Sequence, residues 1–223
     1  MDLGQAVIRT PGWRFIARFA WLACAPAFAV TQVCASTPPA TDPVEVAIDH
    51  VRNLEYDMAR PQLEAWLARH PSDLRALNYL ASAMLQKEMF QRDLLESRVY
   101  ASGGEAFRGG KPPVSAAFQQ ELFGVLNKVE SRAQERLRDN PRDEQALYWI
   151  GVAHTTRAMY HLAVTRAYTT ALGEAKEARN YHAQVLSLNP GFMDALLIVG
   201  IYDYVVGSLP WYMKVLATIA GYR

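Results

Sequence analysis

The sequence predicts an all-α fold: antiparallel helix pairs, about nine helices, and no sheet. Three observations carry this. Laid on itself, the chain shows one pattern three times, as WLARHPSDLRALNYLASAM at 66–84, RLRDNPRDEQALYWIGVAH at 136–154 and VLSLNPGFMDALLIVGIYD at 185–203. In each copy a leucine stands four residues before a proline: Leu67 and Pro71, Leu137 and Pro141, Leu186 and Pro190. Five and six residues after the proline come Ala76-Leu77, Ala146-Leu147 and Ala195-Leu196, followed by an apolar–small pair, Leu80-Ala81, Ile150-Gly151 and Val199-Gly200.

The pattern has a physical reading. The leucine closes one helix, because proline lacks an N–H and biases the residue before it away from helical angles. A second helix starts two or three residues later. Its leucine and the apolar–small pair fall on one face at helical spacing. The small residue, Ala81, Gly151 or Gly200, lets a neighbouring helix approach closely.

Taken in order, Asp42-Pro43-Val44-Glu45 reads as a helix entry, with Asp capping, Pro in the first turn and Glu at the third position. SGGEAFRGGKPP at 102–113 is an exposed connector. One long helix follows over about 115–139, with Phe118, Leu122, Leu126, Val129, Ala133 and Leu137 as its buried stripe. Between Glu144 and Ser187 only Gly173 breaks a helix strongly, so an elongated antiparallel pair is expected there. After Gly207-Ser208-Leu209-Pro210 a last helix, WYMKVLATIAGYR, carries no closing proline. The array therefore reads as incomplete at its C-terminal end.

These residues resemble the tetratricopeptide repeat, whose unit of about 34 residues reads W-x2-L-G-x2-Y, then A-x3-F, then P. The first half is matched by Leu77-x2-Leu80-Ala81-x2-Met84, Leu147-x2-Ile150-Gly151-x2-His154 and Leu196-x2-Val199-Gly200-x2-Asp203. The second half is matched by Ala59-x3-Leu63 before Pro71 and, less closely, by Ala178-x3-His182 before Pro190. The resemblance covers residues 44–223 and implies an α-solenoid. IYDYVVGSLPWYMK at 201–214 is also similar to uncharacterised exported bacterial members of that superfamily.

The first 35 residues read as a secretory leader. The charges before Trp21 are Asp2, Arg9, Arg14 and Arg18, and Phe19 to Val30 runs without a charge. That run is shorter than the roughly 20 residues a membrane span needs. Cleavage is expected after Ala35, with Ala29 the other site, and residues 36–43 form a linker. Both cysteines, Cys24 and Cys34, lie in the leader, so the mature chain has no thiol or disulfide chemistry. Lipoprotein processing at Cys24 is the minor alternative. The expected location is the periplasm or the outer envelope, with membrane association possible through the leader or a partner.

Without the leader's charges the chain keeps 20 basic and 21 acidic residues. This balance argues against a phosphate-binding surface, and no nucleic-acid partner is expected. The glycine-rich connector is no phosphate cradle, since Glu105 and Pro112 stand where that motif needs Gly and Ser or Thr. His154 and His161 are seven apart, with His182 on the neighbouring helix, but no HExxH or carboxylate ligand accompanies them. His154 is read as packing. No catalytic, metal or cofactor residue is assigned, and no enzyme is expected. Asp203 stands where the repeat carries an aromatic. Buried, it would need Arg179 or Lys214 as partner; a one-residue shift of register turns it outward, and that reading is adopted.

The resemblance further implies that a peptide lies in the concave groove formed by the first helix of each pair. The matching positions are Arg75, Asn78 and Ser82, then Gln145, Tyr148, Val152 and Thr155, then Asp194, Leu197, Ile201 and Tyr204. Of the lysine, asparagine and arginine set that clamps acidic chaperone tails, only Asn78 is matched. The groove grows apolar and aromatic toward the C-terminus, which suits a peptide with hydrophobic anchors. The chain thus reads as an exported protein-interaction scaffold. The alternatives are a helical accessory region of a longer envelope enzyme, or a lipid- or glycan-binding helical protein.

Overall fold

The computed structural model describes residues 42–95 and 113–208. They lie in one of the two units into which the chain divides, Pro39–Arg223. The expected leader with Cys24, Cys34 and Ala35, most of the connector at 102–113, and the expected last helix with Trp211, Tyr212 and Lys214 lie outside the described residues. Among the described residues there are seven α-helices and no strand: α1 (Pro43–Arg52), α2 (Tyr56–Leu67), α3 (Leu74–Gln91), α4 (Ala116–Asp139), α5 (Glu144–Met159), α6 (Tyr168–Leu188) and α7 (Met193–Ser208). A π-helical turn, Tyr160–Val164, extends α5.

Helix starts follow the sequence closely. Asp42 caps α1 by accepting from Val44 N at 3.0 Å, with Pro43 in the first turn. Asp73 and Asp143 cap α3 and α5, each accepting from the backbone N–H three residues on at 3.0 Å. Each capping aspartate is also held by a side chain seven residues back. Trp66 Nε1 donates to Asp73 at 2.8 Å, and the Arg136 guanidinium grips Asp143 at 2.9 and 3.1 Å. These ties lock the two proline corners. The third corner has no such aspartate; Phe192, just before α7, instead packs its ring 4.9 Å from Tyr148.

Consecutive helices run antiparallel, as their side-chain ties show. Tyr56 and Asp57 at the start of α2 reach Gln86 and Lys87 near the end of α3. Arg157 of α5 reaches Asn127 and Glu130 of α4, and Arg179 of α6 reaches Asp203 of α7. The interior they enclose includes Ile48, Leu63, Leu122, Leu126, Val129, Ile150 and Tyr160, all essentially without solvent exposure. Each such side chain contributes about 1.5–3 kcal/mol of transfer free energy. The expected stripe of α4 is buried at Leu122, Leu126, Val129 and Ala133, and half-buried at Phe118 and Leu137.

Two expectations are corrected. The chain turns between α5 and α6 at Thr165–Ala167, and Gly173 lies inside α6. Arg166 takes a left-handed φ of 54°, while Thr165 N–H bonds Tyr160 O at 3.1 Å and Ala167 N–H bonds His161 O at 2.8 Å. A non-glycine residue in that region costs about 1–2 kcal/mol, and with arginine there no glycine or proline marks the turn in the sequence. The other correction concerns the small positions. Gly151 does admit a neighbour, for a Cβ there would fall within 3.0 Å of His182 Cε1 and Nδ1, whereas a Cβ on Gly200 meets nothing within 4 Å among the described residues.

Substitution of Gly151 by Ala is therefore expected to lower stability by about 1–3 kcal/mol through overpacking. Substitution of exposed, mid-helical Gly124, where a Cβ meets nothing, is expected to raise it by about 0.5–1 kcal/mol. Urea midpoints of the two variants against the parent chain check both signs.

Candidate binding groove

The first helices of the pairs, α3 and α5, lie side by side. Asn78 on α3 crosses between them, donating from Nδ2 to Leu74 O at 2.8 Å and to Trp149 O at 3.3 Å. Beyond Asn78 the two helices line an open groove of about 360 Å³. One wall is Ser82, Leu85, Gln86 and Met89 with Leu95 after the helix; the other is Val152, Thr155, Thr156 and Met159. None of these side chains ionises.

The polar groups of the groove are held by internal bonds. Gln86 Nε2 donates to Ser82 Oγ at 2.7 Å, and Tyr56 Oη donates to Gln86 Oε1 at 3.5 Å. Thr155 and Thr156 donate their hydroxyls to Gly151 O and Val152 O, at 3.0 and 3.1 Å. The Ser82 hydroxyl retains its proton as a donor, and both threonine oxygens retain lone pairs as acceptors. A peptide backbone, which offers one donor and one acceptor per residue, is complementary to this set.

Of the residues matched to a peptide groove, Ser82, Val152 and Thr155 come together here. Two others are engaged in bonds between helices. Asn78 is 2% exposed and is a structural bridge. Arg75 is held by Asp42 and by Glu45, the latter at 2.5 Å, and ties α3 to α1. Gln145 is exposed at the start of α5, and Asp194 is exposed in the first turn of α7. Tyr148 is half-buried among Trp149, His182 and Phe192. Burial pushes its phenol up to about 12, with Asp194 and Tyr79 adding to the effect. Leu197, Ile201 and Tyr204 lie on a different face, with Met193, Leu196 and Gly200.

The groove residues missed from the sequence are Leu85, Gln86, Met89, Leu95, Thr156 and Met159. Gln86 and Met89 continue the Ser82 face at four and seven residues, and Met159 continues the Thr155 face at four. Extending the register by one or two turns finds these three. Leu95 follows a turn at Asp93, whose φ is 56°, and no helical spacing reaches it.

The histidines have separate tasks. His154 Nδ1 lies 2.7 Å from Glu174 Oε2, and its ring stacks on Tyr181 at 5.5 Å. His161 Nδ1 lies 3.3 Å from Thr165 Oγ1, against Phe123 and Tyr160. His182 is wholly buried; its Nδ1 donates to Ala178 O at 2.7 Å, and its Nε2 has no hydrogen-bond partner. Among the described residues no three His, Cys, Asp or Glu side chains form a group that could hold a metal ion. None of the described helices is long and apolar enough to cross a membrane. Asp203 points outward, gripped by Arg179 Nε and Nη2 at 2.6 and 3.2 Å, while neighbouring Tyr202 is buried.

Compared with protein-family models, with curated proteins and with solved structures, the chain matches none.

Burial holds the His182 and His161 imidazoles below their ordinary value of 6.5. For Glu174, burial raises the carboxyl. The His154 hydrogen bond and charge, with Arg157 and His161, outweigh it and leave the group below 4.5. The unfolded chain then binds more protons than the folded one over both ranges, so stability falls as pH falls. The urea midpoint is expected to be constant above about pH 7, to drop as His182 and His161 are forced to protonate, and to drop again as Glu174 does. A His182→Leu variant measured alongside is expected to show a shallower first drop.

Proposed function

We propose that this chain is an exported helical-repeat scaffold of the bacterial cell envelope that binds a peptide segment of a partner protein in the groove between α3 and α5. One observation carries the reading. Ser82, Val152 and Thr155, picked out by repeat register alone, line one open and uncharged groove. The three-copy pattern around Pro71, Pro141 and Pro190, and the helix-by-helix antiparallel packing, support a tetratricopeptide-like solenoid as the framework. The basic start, the short apolar run and Ala35 support export.

The chemistry of the groove suggests how such a segment is held. Its backbone pairs with the Ser82, Thr155 and Thr156 hydroxyls, and an apolar anchor seats against Met89, Met159 and Leu95. Methionine adapts to side chains of different shape, which suits a scaffold that takes more than one sequence. With no ionisable lining group, electrostatic steering contributes little.

A display library of short peptides panned against the processed chain is expected to enrich uncharged sequences with one or two large apolar residues. Thr155→Arg or Ser82→Arg is expected to weaken the selected peptides by at least about tenfold, through steric filling and an uncompensated charge, with circular dichroism unchanged. Raising salt from about 0.05 to 0.5 M is expected to leave affinity nearly constant. Affinity that ignores both substitutions places the peptide elsewhere and overturns the reading.

A further inference from the structure

Separate apolar clusters divide the described helices. The largest is built from α1 to α5 and the π-helical turn, and among the residues of α6 only Tyr181 packs against it. A small one joins Leu147 of α5, Val185 of α6 and Ala195 of α7. The side chains that α6 buries are Ala171, Ala178, His182 and Val185. Two alanines and a valine bury little apolar area, and the largest side chain that α6 buries in full is His182. The seat of α6 on α5 therefore depends on an ionisable ring.

The geometry fits only the neutral form of that ring. Nδ1 donates to Ala178 O, and Nε2 is buried without a hydrogen-bond partner. A second proton would leave a charge and an N–H against the Gly151 backbone with no acceptor. The charged and titratable neighbours do not relieve this. Tyr148 of α5 presents its ring at 5.4 Å, and Asp194 of α7 acts on that phenol. On α6 itself, Arg179 is bound to Asp203 of α7, and Tyr181 stacks on His154 within reach of Glu177 and of Glu130 of α4. Glu174, two turns back, is bonded to His154 and faces Arg157 and His161, and Glu144 of α5 bonds Asn189 at the Pro190 corner.

We propose that His182 is an acid-sensitive latch: its protonation releases α6 and α7 together from α5, while α1 to α5 stay folded. In the open form the imidazole titrates at its ordinary value of 6.5, and burial holds the closed form below that, so falling pH favours opening. Glu174, held below 4.5 when closed, adds a second loss at lower pH, because its bond to His154 also joins α5 to α6. Helix α7 leaves with α6, to which Arg179 and Asp203 tie it. The rest keeps its core, since Leu85 and Met89 of α3 and Ile150 and Ala153 of α5 belong to the large cluster. Opening uncovers Leu147 and Val185, an apolar surface that is buried in the closed form.

Hydrogen–deuterium exchange of the full chain from about pH 7.5 to 4.5, corrected for the intrinsic pH dependence of amide exchange, tests this. Protection across 168–208 is expected to fall by up to about tenfold per pH unit below 6.5, the slope of one linked proton. It is expected to be lost while α2 to α4 are still protected. His182→Asn keeps a donor for Ala178 O and takes up no proton, so it is expected to remove the slope between about pH 6.5 and 5, where Glu174 stays ionised. In the parent chain the His182 ring signal in NMR is expected to titrate below 6.5, a reading that needs no variant. Loss of protection in all helices together, or no pH-dependent loss, overturns the proposal. So does a slope that His182→Asn leaves intact, or a ring that titrates at or above 6.5.

Discussion

The contact between Gly151 and His182 sets the spacing on which much of the molecule depends. A glycine backbone in the middle of α5 lets the His182 ring approach the helix closer than any residue with a Cβ would permit. The ring is fixed in turn by its own backbone, since Nδ1 donates to Ala178 O one turn earlier. With α5 and α6 this close, His154 meets Glu174 and stacks on Tyr181, and Tyr148 reaches the His182 edge. The pair behaves as one thick element. Its outer side carries α7 and its inner side faces α3.

Proline corners determine where each thick element begins. At Pro71 and Pro141 the same device appears twice: an aspartate caps the incoming helix and is gripped by the outgoing one, through Trp66 or Arg136. Two unlike side chains, an indole and a guanidinium, do the same work because both place an N–H seven residues back. At Pro190 aspartate gives way to Phe192, and ring packing against Tyr148 replaces the capped corner. The last described helix is thus attached mainly through apolar contact and the Arg179–Asp203 pair. Its helix start is less firmly tied than the other two.

Charge is kept away from the proposed binding surface. Arg75 is held by Asp42 and Glu45, Arg157 by Asn127 and Glu130, and Lys87 by Asp57. The α3–α5 groove is left with hydroxyls, one amide and thioethers, and α7 with an uninterrupted apolar stripe. These are two different surface chemistries. Hydroxyls and amides hold a backbone by hydrogen bonds, whereas a bare stripe with a glycine at its centre suits close helix packing.

Helix existence, the Asp42 cap, the proline corners and the α4 stripe were legible in the sequence. Each rests on a local rule: backbone angles, capping bonds or the 3.6-residue period act within a few residues. Other features were decided only by tertiary structure. Arg75 and Asn78 sit at groove register, yet Asp42, Glu45 and Trp149, from 30 to 71 positions away, draw them into structural bonds. The outward turn of Asp203 was expected from the sequence, and only the structure shows that Arg179 of α6 grips it there. The chain reverses at Arg166 because α6 must return against Gly151, which outweighs the cost of a left-handed arginine. Gly151 and Gly200 look alike in the sequence, and among the described residues a neighbour, His182, arrives at Gly151 alone. A residue's own chemistry fixes which helix face it belongs to; what that face touches is set by elements distant along the chain.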